Sequence, residues 1–142
     1  MTKSAPWFSR AVLLVATLIL TLISRKFIID PVGAATASTM TLGSPLAITN
    51  MRASFGAFPL GCAIYTLSCL VLAHRRLTGL FFVMTIVGTA LAVRLYGVVT
   101  DGTLAASIPV LGAETVLVIL SATALYLERA GATAEADATA VS

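Results

Sequence analysis

The chain has 142 residues, of which 58% are hydrophobic and only 11% are charged, whereas charged residues make up roughly 25% of an ordinary soluble domain. So few charges cannot cover the surface of a soluble domain, and so apolar a chain does not have the composition of a disordered one. The composition therefore indicates an integral membrane protein.

Four apolar stretches divide the chain, each close to the ~20 residues that a helix needs to cross a ~30 Å hydrocarbon core. They cover residues 7–29, 48–73, 77–99 and 104–127. Backbone groups inside lipid must bond within their own segment, and the alternation of a membrane strand is absent, so we expect helices. The sequence predicts an all-α fold, an integral membrane four-helix bundle, with one transmembrane domain over residues 1–130.

The N-terminal stretch has two candidate roles. Lys3 and Arg10 precede an apolar run, as in a secretory signal. The only small-residue cleavage candidate, Gly33-Ala34-Ala35, lies well beyond that run and past Arg25-Lys26. Because signal cleavage normally follows the apolar region closely, we expect the stretch to be retained as the first span.

The connections differ in character. Residues 30–48 are rich in small residues and too polar to span, so we expect a cap or a short interfacial helix on the outer face. His74-Arg75-Arg76 forms a tight turn, and Asp101-Gly102 is a turn signal. The small, weakly acidic tail, residues 131–142, is predicted to be disordered in the cytoplasm.

The distribution of Lys and Arg predicts the orientation. With four spans, both termini and the 74–76 turn share one side. At the termini, turns and span ends, that side carries five cations, namely Lys3, Arg10, Arg75, Arg76 and Arg129. The other side carries Arg25 and Lys26. We therefore expect a multi-pass membrane protein with both termini in the cytoplasm.

Twelve of the fifteen charges lie in termini, loops or span ends, and three do not: Arg52, Arg94 and Glu114. Glu114 is about ten residues into the fourth span, hence ~15 Å deep at 1.5 Å per residue. A lone charge there costs from a few to more than ~10 kcal/mol, so it should be paired. Pairing with Arg94 or Arg52 would form a polar site in the outer half, which the prolines Pro59 and Pro109 would help to open by kinking their helices.

Further polar residues extend this candidate site. Ser107, Glu114 and Ser121 are seven apart and share one helix face. The complete predicted ligand-binding or structural network is Asn50, Arg52, Arg94, Tyr96, Asp101, Ser107 and Glu114. Two roles stay open with similar weight: an ion pair that sets the helix register, or a site for a ligand or a proton.

Other chemistry has little support in the sequence. Cys62 and Cys69 are seven residues apart on one helix and too distant to bond to each other. There is no phosphate loop, no metal-ligand cluster and no nucleophile elbow, so we expect neither a metal nor a cofactor. The net charge of +3 does not indicate a nucleic-acid partner, because the cations lie where the positive-inside rule puts them or within the spans.

A set of short motifs in chain order carries a family resemblance: Asp30-Pro31, Asn50 to Gly56, Gly88 to Leu95, Asp101-Gly102 and Glu114. With these motifs, residues 8–127 resemble a bacterial family of small four-helix integral membrane proteins of unknown function, which is distantly DoxX-like. The family often has a second glycine after Gly56, where this chain has Ala57. The resemblance implies a four-helix bundle with Arg52, Arg94 and Glu114 as its signature polar positions, and no established activity.

The leading functional hypothesis is a non-enzymatic membrane protein that binds a lipid-like or quinone-like molecule through these residues, or serves as an accessory subunit. Its expected partners are the bilayer, such a ligand, and a membrane protein or further copies of the chain. One alternative is a membrane enzyme, for example an isomerase with Glu114 as proton shuttle, for which Asp101, Tyr96 or Tyr65 would have to supply a second proton-transfer group. Another is an oligomer that conducts protons or a solute.

Overall fold

The structure, a computed structural model, describes residues 5–140, and the side chains of residues 7–131. Over this range the fold is all-α, as predicted, without strands. Its α-helices are α1 (Ala5–Ile29), α2 (Pro31–Ala37), α3 (Pro45–Met51), α4 (Phe58–Val71), α5 (Arg76–Asp101) and α6 (Leu104–Ala140). A π-helical segment, Arg52–Ala57, joins α3 to α4, and a 3₁₀ turn, Ala73–Arg75, joins α4 to α5.

Four helical segments within the described residues are long and apolar enough to cross a membrane: Trp7–Ile29, Pro45–Val71, Ala73–Asp101 and Leu104–Gly131. The first agrees with the predicted span, and the others differ from their predicted ranges by up to four residues at an end.

The segment that follows α1 forms two short helices, α2 and α3. Each begins in the same way, with a proline in the first turn and a polar N-cap: the Asp30 side chain accepts a hydrogen bond from Gly33 N, and the Ser44 side chain accepts one from Ala47 N. These caps satisfy backbone donors that a helix start leaves free. Buried Phe27, Ala34, Ala35 and Met51, together with Met40 and Leu42, form an apolar cluster that holds this segment on the end of α1.

The second long helical segment changes its winding just before Pro59. Over Arg52–Ala57 the backbone is π-helical, and Phe58 N donates to Ala53 O, five residues back. Proline has no N–H with which to bond the carbonyl four residues before it, and a π turn is one way for a helix to accommodate that loss. The expected disturbance at Pro59 therefore takes the form of a π segment. At Pro109, by contrast, α6 continues as one helix.

The described residues divide into two compact units. The α1–α4 unit is Leu14–Ser68, and the α5–α6 unit combines the described parts of Met1–Leu13 and Cys69–Ser142. In the α1–α4 unit, Gly56 lies directly on α1, because a Cβ there would stand 2.6 Å from Ile28 Cγ1. The rings of Phe27 and Phe55 pack beside this contact, 5.3 Å apart.

Within the α5–α6 unit, α5 and α6 form a helical hairpin. Gly102 ends α5 with a left-handed conformation (φ 67°) and its N–H donates to Val98 O, an arrangement that glycine adopts at no steric cost. The Asp101-Gly102 turn is thus formed as predicted. Near the other end of α5, Gly79 allows a close approach, since a Cβ there would lie 2.5 Å from Cys69 Cβ and 3.1 Å from Leu13 Cδ2.

The helix α6 continues to Ala140. Alternate residues from Ala130 onward are alanine, the strongest helix former, which extends an existing helix at little cost. Residues 141 and 142 of the predicted tail lie outside the described range.

Candidate functional site

The α5–α6 hairpin brings together two charges from inside the apolar stretches. Arg94 lies seven residues before the end of α5, and Glu114 lies ten residues after the start of α6, hence roughly 10 and 15 Å from the turn at 1.5 Å per residue. Because the turn between the helices is short, the helices run antiparallel and the two residues stand at a similar level. Arg76 and Glu128, 3.6 Å apart, form a second pair near the opposite end of α5.

The Arg94–Glu114 contact is bidentate. Arg94 Nε donates to Glu114 Oε2 at 3.0 Å, and Arg94 Nη2 donates to Glu114 Oε1 at 2.9 Å. The planar guanidinium fork matches the two carboxylate oxygens, which makes this one of the stronger forms of hydrogen bonding available to a protein. Both oxygens of Glu114 are therefore engaged, and the pair carries no net charge when both groups are ionised.

The half of the hairpin around this pair has little packing of its own. From residue 84 to residue 116, no residue of this fully described segment is buried. The Glu114 side chain is 15% exposed and the Arg94 side chain 38% exposed. Arg94 Nη1 donates no hydrogen bond to any described residue. A polar group in this position needs a partner, because apolar lipid offers none.

Arg52, the third predicted charge, has a different contact. It lies at the start of the π segment, is exposed, and its Nε donates to Ile28 O at 3.2 Å. Ile28 is in the last turn of α1, where carbonyls have no partner within the helix, so Arg52 caps that helix. The hairpin thus brings together Arg94 and Glu114, while the described contact of Arg52 is made within the α1–α4 unit.

The remaining predicted site residues make no hydrogen bond to Arg94 or Glu114 among the described contacts. Tyr96 is 72% exposed on α5, and Asp101 is exposed at the end of α5, one turn from Gly97. Asn50 is exposed on α3, and Ser107 is half-buried on α6. Ser121, on the same predicted face as Glu114, is buried and donates to Leu117 O in its own helix.

One buried polar contact was not anticipated from the sequence. Thr17 Oγ1 and Thr66 Oγ1 lie 2.9 Å apart and both residues are buried, and Thr66 Oγ1 also contacts Cys62 O and Ala63 O of its own helix. Interhelical hydrogen bonds of this kind hold membrane helices together. Because threonine is common on such helices, the sequence indicated this contact only through the small residues near the two threonines.

No three His, Cys, Asp or Glu side chains lie close enough to hold a metal ion within the part of the chain that the structure describes. Comparisons with protein-family models, with curated proteins and with solved structures find no match for this chain. The resemblance to small, distantly DoxX-like four-helix membrane proteins therefore stays a prediction from the short motifs.

Proposed function

We propose that the protein is a non-enzymatic membrane protein that binds a lipid-like or quinone-like molecule at the Arg94–Glu114 pair, in the half of the α5–α6 hairpin near Gly102. The observation that carries this proposal is a bidentate ion pair on a sparsely packed, apolar stretch of helix. The ion pair alone would satisfy only some of the N–H donors of the Arg94 guanidinium, and a bound molecule would accept hydrogen bonds from the others.

The unused donor indicates which part of a ligand would bind. Arg94 Nη1 is free to donate, while Nε and Nη2 already bond the carboxylate. A carbonyl or ester oxygen on an otherwise apolar molecule would accept from Nη1, and its apolar body would cover the neighbouring helix surface. Quinones and acyl lipids both have this combination.

The contacts of Glu114 favour binding over acid–base catalysis. An isomerase would need a second proton-transfer group near the carboxylate, and neither Tyr96 nor Asp101 hydrogen-bonds Glu114 in the described α5–α6 unit. A proton-conducting role would require the carboxylate to leave the guanidinium fork, which costs two charge-assisted hydrogen bonds.

Native mass spectrometry of the purified chain tests the proposal. We expect the wild type to retain a neutral apolar adduct, and Arg94→Ala to reduce its occupancy at least tenfold, about 1.4 kcal/mol of binding free energy. Arg75→Ala, which removes an exposed cation from the 3₁₀ turn, is the matched control and should retain the adduct. Equal occupancy in wild type, Arg94→Ala and Glu114→Gln would refute ligand binding at this pair. A protein chain that copurifies in an Arg94-dependent way would instead indicate an accessory subunit.

The same proposal places the protein in the bacterial cytoplasmic membrane with both termini in the cytoplasm, on the basis of the resemblance and of the excess of Lys and Arg on that side. In this orientation the turn at Gly102 faces outward. A Thr103→Cys variant should then react with an impermeant thiol reagent in intact cells, while an Arg75→Cys variant should react only after lysis. The opposite labelling pattern would reverse the orientation.

A further inference from the structure

The end of α1 carries an uncompensated positive charge. The α1–α4 unit contains three cations, Arg25, Lys26 and Arg52, and a single carboxylate, Asp30. All three cations are exposed. Asp30 Oδ1 accepts the N–H of Gly33 as the N-cap of α2, so this carboxylate already has a structural role. Neither Arg25 nor Arg52 forms an ion pair with any described carboxylate.

Arg52 is held against the last turn of α1, close in sequence to Arg25. Its Nε bonds Ile28 O at 3.2 Å, and Arg25 precedes Ile28 by three residues, less than one turn of α1. The contact of Gly56 with Ile28 fixes the π segment against α1 at this level. Arg52 uses only Nε in the cap, so its two terminal nitrogens remain available at the end of α1, about one turn from Arg25.

The surroundings of this pair are apolar and exposed. Ile29, Val32 and Leu46 follow in α1, α2 and α3, and each exposes a large part of its side chain. Exposed apolar side chains next to the end of a span are typical of a segment that lies in the interfacial layer of the bilayer. Arg25, inside the apolar segment Trp7–Ile29, would extend its side chain toward the same layer, where the lipid phosphates are.

We propose that Arg25 and Arg52 form a binding site for the phosphate of an anionic phospholipid at this boundary. Two guanidinium groups can share the oxygens of one phosphate through charge-assisted hydrogen bonds. The lipid tails would lie along the exposed apolar residues beside the site, and Lys26 adds to the positive potential. This site belongs to the α1–α4 unit and is independent of the ligand proposed for Arg94 and Glu114.

The test uses the full chain in lipid nanodiscs that contain equal amounts of phosphatidylglycerol and phosphatidylcholine, followed by native mass spectrometry of the lipids retained. We expect the wild type to retain phosphatidylglycerol preferentially. Arg25→Gln should reduce this preference about fivefold, because it removes one of the two guanidinium groups that would share the phosphate oxygens. Arg25→Gln and Arg52→Gln together should abolish it.

Two controls make the result decisive. Arg75→Gln removes one exposed cation elsewhere and should leave the preference unchanged. Because Arg52 also caps α1, Arg52→Gln can disturb the fold, whereas Arg25 makes no described hydrogen bond, so Arg25→Gln decides the matter if Arg52→Gln fails to fold. The proposal is overturned if Arg25→Gln keeps the wild-type preference or if Arg75→Gln loses as much. Retention of glycerol phosphate by the chain without any preference for phosphatidylglycerol would identify a site for free phosphate instead of a lipid.

Discussion

The pairing of Arg94 with Glu114 predicts strongly non-additive effects on stability. Arg94→Met and Glu114→Met each remove one charge and leave the other without its partner in an apolar hairpin. The double variant replaces both with flexible apolar side chains of comparable length. If the partner matters more than the charge itself, then the double variant should be more stable than either single variant.

The structure sets the size of the effect. Each single variant removes both hydrogen bonds, of 2.9 and 3.0 Å, and leaves one unpaired charge that costs about 3 kcal/mol near the middle of a span. Arg94 is 38% exposed and lies roughly 10 Å from the end of α5, so its side chain can extend toward the interface and recover part of this cost. We therefore expect a loss of about 2 kcal/mol for Glu114→Met, or roughly a 30-fold shift in the unfolding equilibrium.

For Arg94→Met the loss should be at least as large, because the shorter Glu114 side chain, about ten residues into α6, has less reach toward the interface. The double variant should remain within about 1 kcal/mol of the wild type, since an apolar pair can replace an ion pair at little cost. These values correspond to a coupling free energy of at least about 3 kcal/mol between the two positions.

Reversible unfolding in mixed micelles, with an increasing mole fraction of sodium dodecyl sulfate and far-UV circular dichroism as the signal, measures these free energies. Arg75→Met, which removes an exposed cation from the turn before α5, is the control and should change the free energy of unfolding by less than about 0.5 kcal/mol. The reasoning is wrong if the losses of the two single variants simply add in the double variant, or if each single variant matches the control.

Two further predictions concern the α1–α4 unit. Gly56→Ala should lower the free energy of unfolding by about 1–3 kcal/mol in the same assay, because its Cβ would overlap the side chain of Ile28. The control Gly61→Ala, with open space around the new Cβ, should be neutral or slightly stabilising. Similar losses in both variants would show that the contact with α1 is not the cause. Thr66→Val should lower the free energy of unfolding by about 0.6 kcal/mol, the average for an interhelical hydrogen bond between membrane helices, because it removes the bond to Thr17. A double variant, Thr17→Val with Thr66→Val, whose loss is twice that of either single variant would contradict this pairing.

The candidate site was only partly predictable from the sequence. The position of Glu114 inside an apolar stretch required a cationic partner, and the short turn at Asp101-Gly102 favoured the neighbouring helix. Two arginines were nevertheless available, because hydropathy and spacing do not say which side chain meets the carboxylate. The structure pairs Arg94 with both oxygens of Glu114 and uses Arg52 as a cap for α1.

Local chemistry explains why the spans and turns followed from the sequence alone. Apolar stretches of about 20 residues can satisfy their backbone only as helices in lipid, and Gly102 marks a turn because a left-handed residue costs glycine nothing. The π segment before Pro59, the contact of Gly56 with Ile28 and the bond between Thr17 and Thr66 depend on what an adjacent helix presents. Because membrane helices associate through such close fits and not through apolar burial alone, only the tertiary structure decides them.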